Sequence, residues 1–295
     1  MHPSLQQWLD HGQYFSHNGH RIFYQDQGQG PCILLVHGYP TSSYDWQKVW
    51  PLLTAHYRVL ALDLLGMGFS DKPVDHAYSV SDHADMTDAL LAHLGVQQAH
   101  VVGHDLGVGV VQELLARRRT PAPLPVIASA VLMNGGIFPE VYRSRRIQKL
   151  LASWLGPWLG PRIPKRAFKR ALLGMFGPHT QPTDAEFDVF WEVLEFNQGR
   201  RITHLLSRAI FARAQLRERL VAPLVDGATP VRLVNGAMDP NSGAHMAARY
   251  REVVPNPDVV SLDTVGHWPQ WEAPAEVFAA IHEFVQRHAG ATPPH

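Results

Sequence analysis

The run Val101-Val102-Gly103-His104-Asp105-Leu106-Gly107 sets an apolar stretch against a Gly-x-Asp-x-Gly turn that opens a helical pattern. Glycines flanking one polar residue permit the strained strand-to-helix turn of a nucleophile elbow, which lifts that side chain above a sheet. The lifted group here is a carboxylate, and no Gly-x-Ser-x-Gly occurs in the chain, so a serine elbow is excluded. A carboxylate with an ordinary pKa of about 4 is already anionic at neutral pH and attacks without help from a base. Taken alone, Asp105 would be read as the cap of the helix starting near Leu106. Two further residues displace that reading. Asp239 follows the apolar run Val231 to Asn235, and His267 follows the last apolar run in Thr264-Val265-Gly266-His267-Trp268. Nucleophile, acid, histidine is the chain order of elbow-based triads. His267 would activate water, and Asp239 would orient its ring.

The turn Val36-His37-Gly38-Tyr39-Pro40 ends another apolar run. It is the place for a second oxyanion donor, so the backbone N–H groups of Tyr39 and Leu106 are the candidates for that hole. The chain has 18 histidines, so most serve packing or surface; His104, beside the elbow, is read as structural. The acids of Asp63 to Asp71 are assigned to loop geometry, with Asp63 and Ser70 satisfying backbone groups.

These residues need a scaffold. Asn18-Gly19 suits a two-residue hairpin turn between the runs 14–17 and 20–24. Apolar runs at 32–37, 57–63, 99–103 and 126–133 then alternate with helical patterns at 42–53, 79–94 and 106–119. Such alternation predicts an α/β fold, a mostly parallel central sheet with helices on both faces. From 137 to 222 the strand pattern vanishes, and helical spacing runs through 139–155, 164–173, 183–198 and 200–220. This stretch is expected to be an inserted helical cap, with 1–136 and 223–295 forming the core. Strand and helix rhythm resumes at 231–235, 242–253, 258–262 and 274–288. Residues 120–125 form a proline-rich connector too short to link domains.

Composition narrows the partners. Hydrophobic residues make up 45% and charged residues 18%, ordinary for a globular domain. Basic and acidic residues number 26 each, so no net field recruits nucleic acid, and a small-molecule substrate is expected. No apolar stretch approaches the length of a membrane span, and no signal-peptide pattern opens the chain. The single cysteine, Cys32, adjoins Ile33 to Val36 and is read as a buried, inert thiol, which fits a reducing cytoplasm. No metal or cofactor is called for, and the oligomeric state stays open.

Across nearly its whole length the chain resembles the α/β-hydrolase superfamily, in particular its epoxide hydrolase and haloalkane dehalogenase branch. The resemblance rests on His37-Gly38-Tyr39-Pro40, Asp63 to Asp71, Gly103-His104-Asp105 and Gly266-His267. Tyr39 to Trp46, Gly68 to Pro73 and Asn134 to Glu140 are similar in particular to the mesoderm-specific transcript proteins, a subgroup without a settled substrate. The resemblance implies that Asp105 attacks an sp³ carbon and that His267-activated water hydrolyses the resulting alkyl ester. Two departures bear on the substrate. The positions where dehalogenases place tryptophan and asparagine to hold halide carry Leu106 and Tyr39, and of the two cap tyrosines of epoxide hydrolases only Tyr142 is present, with Arg208 near the other. His179, His204 or Trp191 are alternative donors. Asn134 stands where some dehalogenases carry their acid and cannot serve as one, which favours Asp239. A hydrolase fold kept only for binding is the rival of another class.

The cap is expected to supply the pocket's apolar wall, with Phe138, Tyr142, Trp154, Trp158, Phe176, Trp191 and Phe211 as candidates. Between Val141 and Leu173 it carries nine lysines and arginines and no acid. Solvated helix faces, balanced by Asp184, Glu186, Asp188, Glu192 and Glu195, are preferred over an anionic-substrate gate or a lipid-facing surface.

Overall fold

The computed structural model describes residues 1–120, 122 and 124–288. Pro121 and Pro123 of the proline-rich connector lie outside the described residues. Eight strands form one sheet: β1 (Gln13–His17), β2 (His20–Gln27), β3 (Cys32–Val36), β4 (Arg58–Leu62), β5 (Gln98–His104), β6 (Val126–Met133), β7 (Val231–Gly236) and β8 (Asp258–Leu262). Their order is β1-β2-β4-β3-β5-β6-β7-β8. The β1–β2 and β2–β4 pairs are antiparallel and all others parallel. The opening hairpin turns on Asn18 and Gly19, both at positive φ (49° and 80°), as a tight turn matched to strand twist requires.

Period-two alternation divides the core. Leu34, Val36, Leu60, Leu62, Val101 and Leu132 face one layer, while Ile33, Leu35, Val59, Ala61, Val102 and Val131 face the other. The helices divide in the same way. α1 (Pro3–His11), α2 (Trp50–Thr54), α3 (Val80–His93) and α4 (Leu106–Arg117) precede β6. The insertion between β6 and β7 contains α5 (Arg146–Ala152), α6 (Gly156–Leu159), α7 (Lys165–Leu173), α8 (Asp184–Glu195), α9 (Thr203–Ala212) and α10 (Arg217–Asp226). The chain closes with α11 (Ala244–Val253), α12 (Pro269–Glu272) and α13 (Pro274–His288). Helices α3, α4, α10 and α11 pack on the first layer and α1, α2 and α13 on the second. Full burial of one such side chain contributes about 1.5–3 kcal/mol, so truncation of Leu132 to alanine at the sheet centre would cost about 2–5 kcal/mol.

Several helices are shorter than their sequence pattern predicts. The stretch 42–53 splits into a 3₁₀ turn at Ser43–Trp46 and the helix at Trp50–Thr54, where Pro51 can occupy only a first turn. Of 139–155 only Arg146–Ala152 is α-helical. Helix α8 begins on a capping box, Thr183 with Glu186, and ends at Glu195 because Asn197 and Gln198 take left-handed φ angles of 48° and 59°. The segment 200–220 breaks into α9, a 3₁₀ turn and α10. Helix α10 runs past residue 222 and packs on α4, where Gln112 Nε2 donates to Leu220 O at 3.1 Å. Among the described residues no helix is long and apolar enough to cross a membrane.

Candidate active site

The elbow is built by close packing. A Cβ on Gly103 would lie 2.5 Å from Gly107 O, and one on Gly107 would lie 2.2 Å from Val36 O, so only glycine fits at either position. Between them Asp105 takes φ 51° and ψ −111°, a costly conformation for a residue with a side chain. Its carboxylate makes no capping bond to α4, so it is free to face the cavity. Oδ1 accepts from Tyr39 N–H at 2.9 Å, while Oδ2 lies 3.3 Å from His267 Nε2. That second approach is ion-pair distance without hydrogen-bond alignment, and Nε2 has no other protein partner among the described residues.

On the other side of the ring, His267 Nδ1 donates to Asp239 Oδ2 at 2.8 Å. Asp239 is buried and well supplied with donors: Ser242 Oγ at 2.6 Å and Asn134 Nδ2 at 3.0 Å reach Oδ2, and Asn241 N reaches Oδ1 at 2.8 Å. Burial pushes this carboxyl up, but the charge of His267 and those donors reverse the effect and hold it at about 2. Burial likewise disfavours the imidazolium, yet Asp239 and then Asp105 outweigh it and raise His267 to about 10. Burial raises Asp105 too, and His267 more than cancels this, leaving the Asp105 carboxyl below its ordinary range. The two carboxylates thus favour the protonated form of His267 between them.

Asn134 does more than leave the acid's place to Asp239. Its Oδ1 accepts from Gly236 N at 2.7 Å, and Nδ2 donates to Gly236 O and to Asp239, locking β6 to the loop after β7. His104 is structural, as the sequence suggests: Nε2 donates to His267 O at 2.7 Å, and burial lowers its pKa to about 3, so the ring is neutral. Met175 O in the insertion accepts from His267 N at 2.8 Å. Glu272, which no sequence pattern marks, accepts from the N–H groups of Gly266, Trp268 and Gly177 at 2.8–2.9 Å. It fixes the histidine loop from both sides.

The turn after β3 contains a cis Tyr39–Pro40 peptide. Neutral His37, held by burial at about 4, accepts from Leu64 N at 2.9 Å and so joins this turn to the 63–71 loop. Within that loop the Asp63 carboxylate takes the N–H groups of Ser43 and Phe69, each at 2.6 Å, and Ser70 Oγ donates to Asp63 O. The acids there serve loop geometry, as expected. Leu106, the first residue of α4, has a backbone N–H with no acceptor inside the helix.

A cavity of about 220 Å³ lies over Asp105, between the sheet and the insertion. Its wall is not the one the sequence suggests: none of Phe138, Tyr142, Trp154, Trp158, Phe176, Trp191 and Phe211 lines it. Phe138 is packed in the core against Tyr250. Trp154 and Trp158 face outward, 83% and 59% exposed. Phe176 stacks on Trp268, Trp191 lies beside Phe168 and under Arg200, and Phe211 is half-buried on α9. The Tyr142 hydroxyl meets Gln148 and Asn241, and it is Gln148 that faces the cavity. The apolar wall comes from Ile147 and Leu151 of α5, Phe168 and Leu172 of α7, and Ile163 and Met175 nearby. The polar lining groups besides Asp105 are Tyr39, Arg145, Gln148 and Thr203. His179, His204 and Trp191 are not among the lining residues. Among the described residues no three His, Cys, Asp or Glu side chains converge as a metal site needs.

The expected balance of cap charges is partial. Asp184 pairs with Lys169 and Asp188 with Lys165, but Glu186 pairs with Lys48, Glu195 with Arg200, and Glu192 accepts from His2 N. Arg143, Arg145, Arg146 and Arg170 form no ion pair among the described residues.

A sequence profile of the alpha/beta hydrolase fold matches residues 31–274. The mesoderm-specific transcript protein of Mus musculus is 39% identical over 96% of this chain and 88% of its own length. Haloalkane dehalogenase 2 of Mycobacterium tuberculosis is 28% identical over 95% of this chain and 97% of its own. Among solved structures, the haloalkane dehalogenase DbeA of Bradyrhizobium elkani superposes with a TM-score of 0.80 at 22% identity, covering 95% of this chain and 99% of that one. The epoxide hydrolase CorEH gives 0.77 at 21%, covering 94% and 98%. At such identities the two structures speak to fold alone, while the profile and the mouse relative speak to descent. With its elbow, sheet order and inserted helices, the chain belongs to the α/β-hydrolase-fold family, in the branch that includes the mesoderm-specific transcript proteins.

Proposed function

We propose that the protein is a hydrolase whose Asp105 attacks an sp³ carbon of a small apolar substrate, forming an alkyl ester that His267-activated water then cleaves. The observation that carries this reading is a carboxylate at the elbow with its two oxygens in different environments. Oδ1 already accepts from Tyr39 N–H, so it becomes the ester carbonyl oxygen, and Oδ2 is the attacking atom. Esterification removes the charge of Asp105 from beside His267. The ring then releases its proton and can take one from water, while Asp239 holds it in place. As water adds to the ester carbon, the charge gathers on Oδ1, where the N–H groups of Tyr39 and Leu106 receive it.

Epoxides come first among substrates and alkyl halides second. Opening an epoxide needs a proton for the departing oxygen, and the Tyr39 phenol, pushed by burial up to about 12, stays protonated at the cavity wall. Its O–H reaches Thr203 O at 3.5 Å and its oxygen accepts from Ser207 Oγ at 3.4 Å, contacts long enough to leave it free to turn. A departing halide needs N–H donors instead. Leu106 brings no side-chain donor, and Trp268 Nε1 is already given to Asp45. A purely binding role would leave a buried charged triad without purpose, since desolvating three charges costs stability. On this reading residues 137–222 act as the cap over a core of 1–136 and 223–295, and no cofactor takes part.

The test is His267→Gln. Incubated with a reactive epoxide that the wild type hydrolyses, the variant is expected to gain the mass of one hydroxyalkyl group, mapped by peptide analysis to Asp105. The double variant with Asp105→Ala should gain none. Absence of adduct in His267→Gln would overturn the covalent mechanism.

A further inference from the structure

Arg145 stands out in a wall that is otherwise almost wholly apolar. Among the described residues it is the only cation lining the cavity over Asp105, and it forms no ion pair; its Nη1 donates to Gly174 O at 3.1 Å. A guanidinium presents five donors in a planar fork matched to an oxyanion, and one carbonyl leaves most of them unused. Beyond Arg145 the cavity continues into a surface groove that shares Arg145, Ile147, Ala167 and Ala171 with it. Arg143, Arg146 and Arg170 also line that groove, together with Pro240 and Asn241 of the acid loop, and no acidic side chain does. The cap acids that could have neutralised these arginines are engaged elsewhere, on the α8 side and with Lys48, Arg200 and the chain start.

We propose that the substrate is an amphiphilic anion, its apolar chain in the cavity above Asp105 and its oxyanion head, carboxylate or phosphate, held at the mouth by Arg145. Arg143, Arg146 and Arg170 line the approach. The proposal rests on the reading of the Asp105 cavity as the substrate site and narrows it: only the reacting part of the substrate is apolar, and a charged head replaces a wholly apolar molecule. It follows from charge placement: the head must stay away from anionic Asp105, and the only cation in the wall marks where it can rest.

Binding without turnover tests it. Isothermal titration of the full chain with octanoate, octyl phosphate and octanol should show one or both anions binding at least about tenfold tighter than the alcohol, the worth of a charge-assisted pair. Whichever anion is preferred names the head group. Arg145→Gln should bring the anions down to the alcohol's affinity and leave octanol unchanged, whereas Arg145→Lys should recover part of the preference. Arg162→Gln, outside the groove, should alter none of these. Equal affinity for anions and alcohol in the wild type would overturn the proposal. So would a loss in Arg145→Gln shared equally by octanol, which would make Arg145 a support for Gly174. Retention on phosphatidylserine vesicles that the triple variant R143Q/R146Q/R170Q abolishes, with no preference for octanoate or octyl phosphate, would assign the arginines to a lipid surface and also overturn it. Because no chemistry is read, a chain that prefers anions yet forms no adduct would retain this inference and sink the covalent mechanism; adduct formation without anion preference would do the reverse.

Discussion

The charge on His267 should divide the two chemical steps by pH. In the resting site the ring lies between two carboxylates and is held at about 10. Alkylation replaces the Asp105 carboxylate, 3.3 Å from Nε2, with a neutral ester. A unit charge at that range is worth roughly 5 kcal/mol at an effective dielectric of about 20, or nearly 4 pH units. The ring in the ester should therefore titrate at about 6. Ester formation should be flat between about pH 5 and pH 9, because Asp105 is ionised throughout and His267 keeps its proton until near 10. Ester decay should instead rise roughly tenfold from about pH 5 to pH 7, then level off. Rapid-quench sampling with intact-mass readout gives both rates from one experiment. An alkylation rate that climbs through neutrality, with decay independent of pH, would place the proton transfer in the first step and refute this division of labour.

Three other outcomes follow from single contacts. In Gly38→Ala the new methyl would sit 2.3 Å from Asp105 Cβ and 2.6 Å from Oδ1, so the alkylation rate in single-turnover kinetics should fall about a hundredfold; an unchanged rate would show that the Tyr39 N–H contact is dispensable. Asn134→Ala removes three buried hydrogen bonds, two of them to the backbone of Gly236, so urea unfolding should report a loss of about 2–4 kcal/mol at constant slope, and less than about 1 kcal/mol would count against the lock. Cys32 is buried and its thiol is pushed up to about 12, so a thiol reagent at mildly alkaline pH should label it only after unfolding; fast native labelling would contradict its placement in β3.

The grouping of Asp105, Asp239 and His267 could be read from the chain because each is announced by backbone chemistry. Gly103 and Gly107 mark the elbow where two chain segments come too close for any Cβ, and Asp239 and His267 each follow an apolar run that becomes β7 or β8. The pocket wall could not be read in the same way, because aromatic residue type says nothing about the face on which a side chain lies. Trp154 and Trp158 are the largest apolar groups in their stretch and point to solvent, while Phe168 and Leu172 line the cavity from a helix noticed only for its charge. Their i, i+4 spacing between lysines and arginines was the available signal. Glu272 had none, since its partners are backbone N–H groups brought together from Gly177 to Trp268 only by folding.

The pairing of β6 with β7 spans the whole insertion, from Met133 to Val231, and this has a consequence for biosynthesis. A ribosome delivers the chain from the N-terminus, at roughly 5–20 residues each second, so the elbow and the strands β1 to β6 wait several seconds for the acid and histidine loops. During that interval the growing polypeptide carries Asp105 with neither Asp239 nor His267 beside it, and the edge of β6 is left without its partner. Synthesis order thus leaves the half-built sheet with an open strand edge and a solitary Asp105: the three side chains meet only once residues 239–267 have been made.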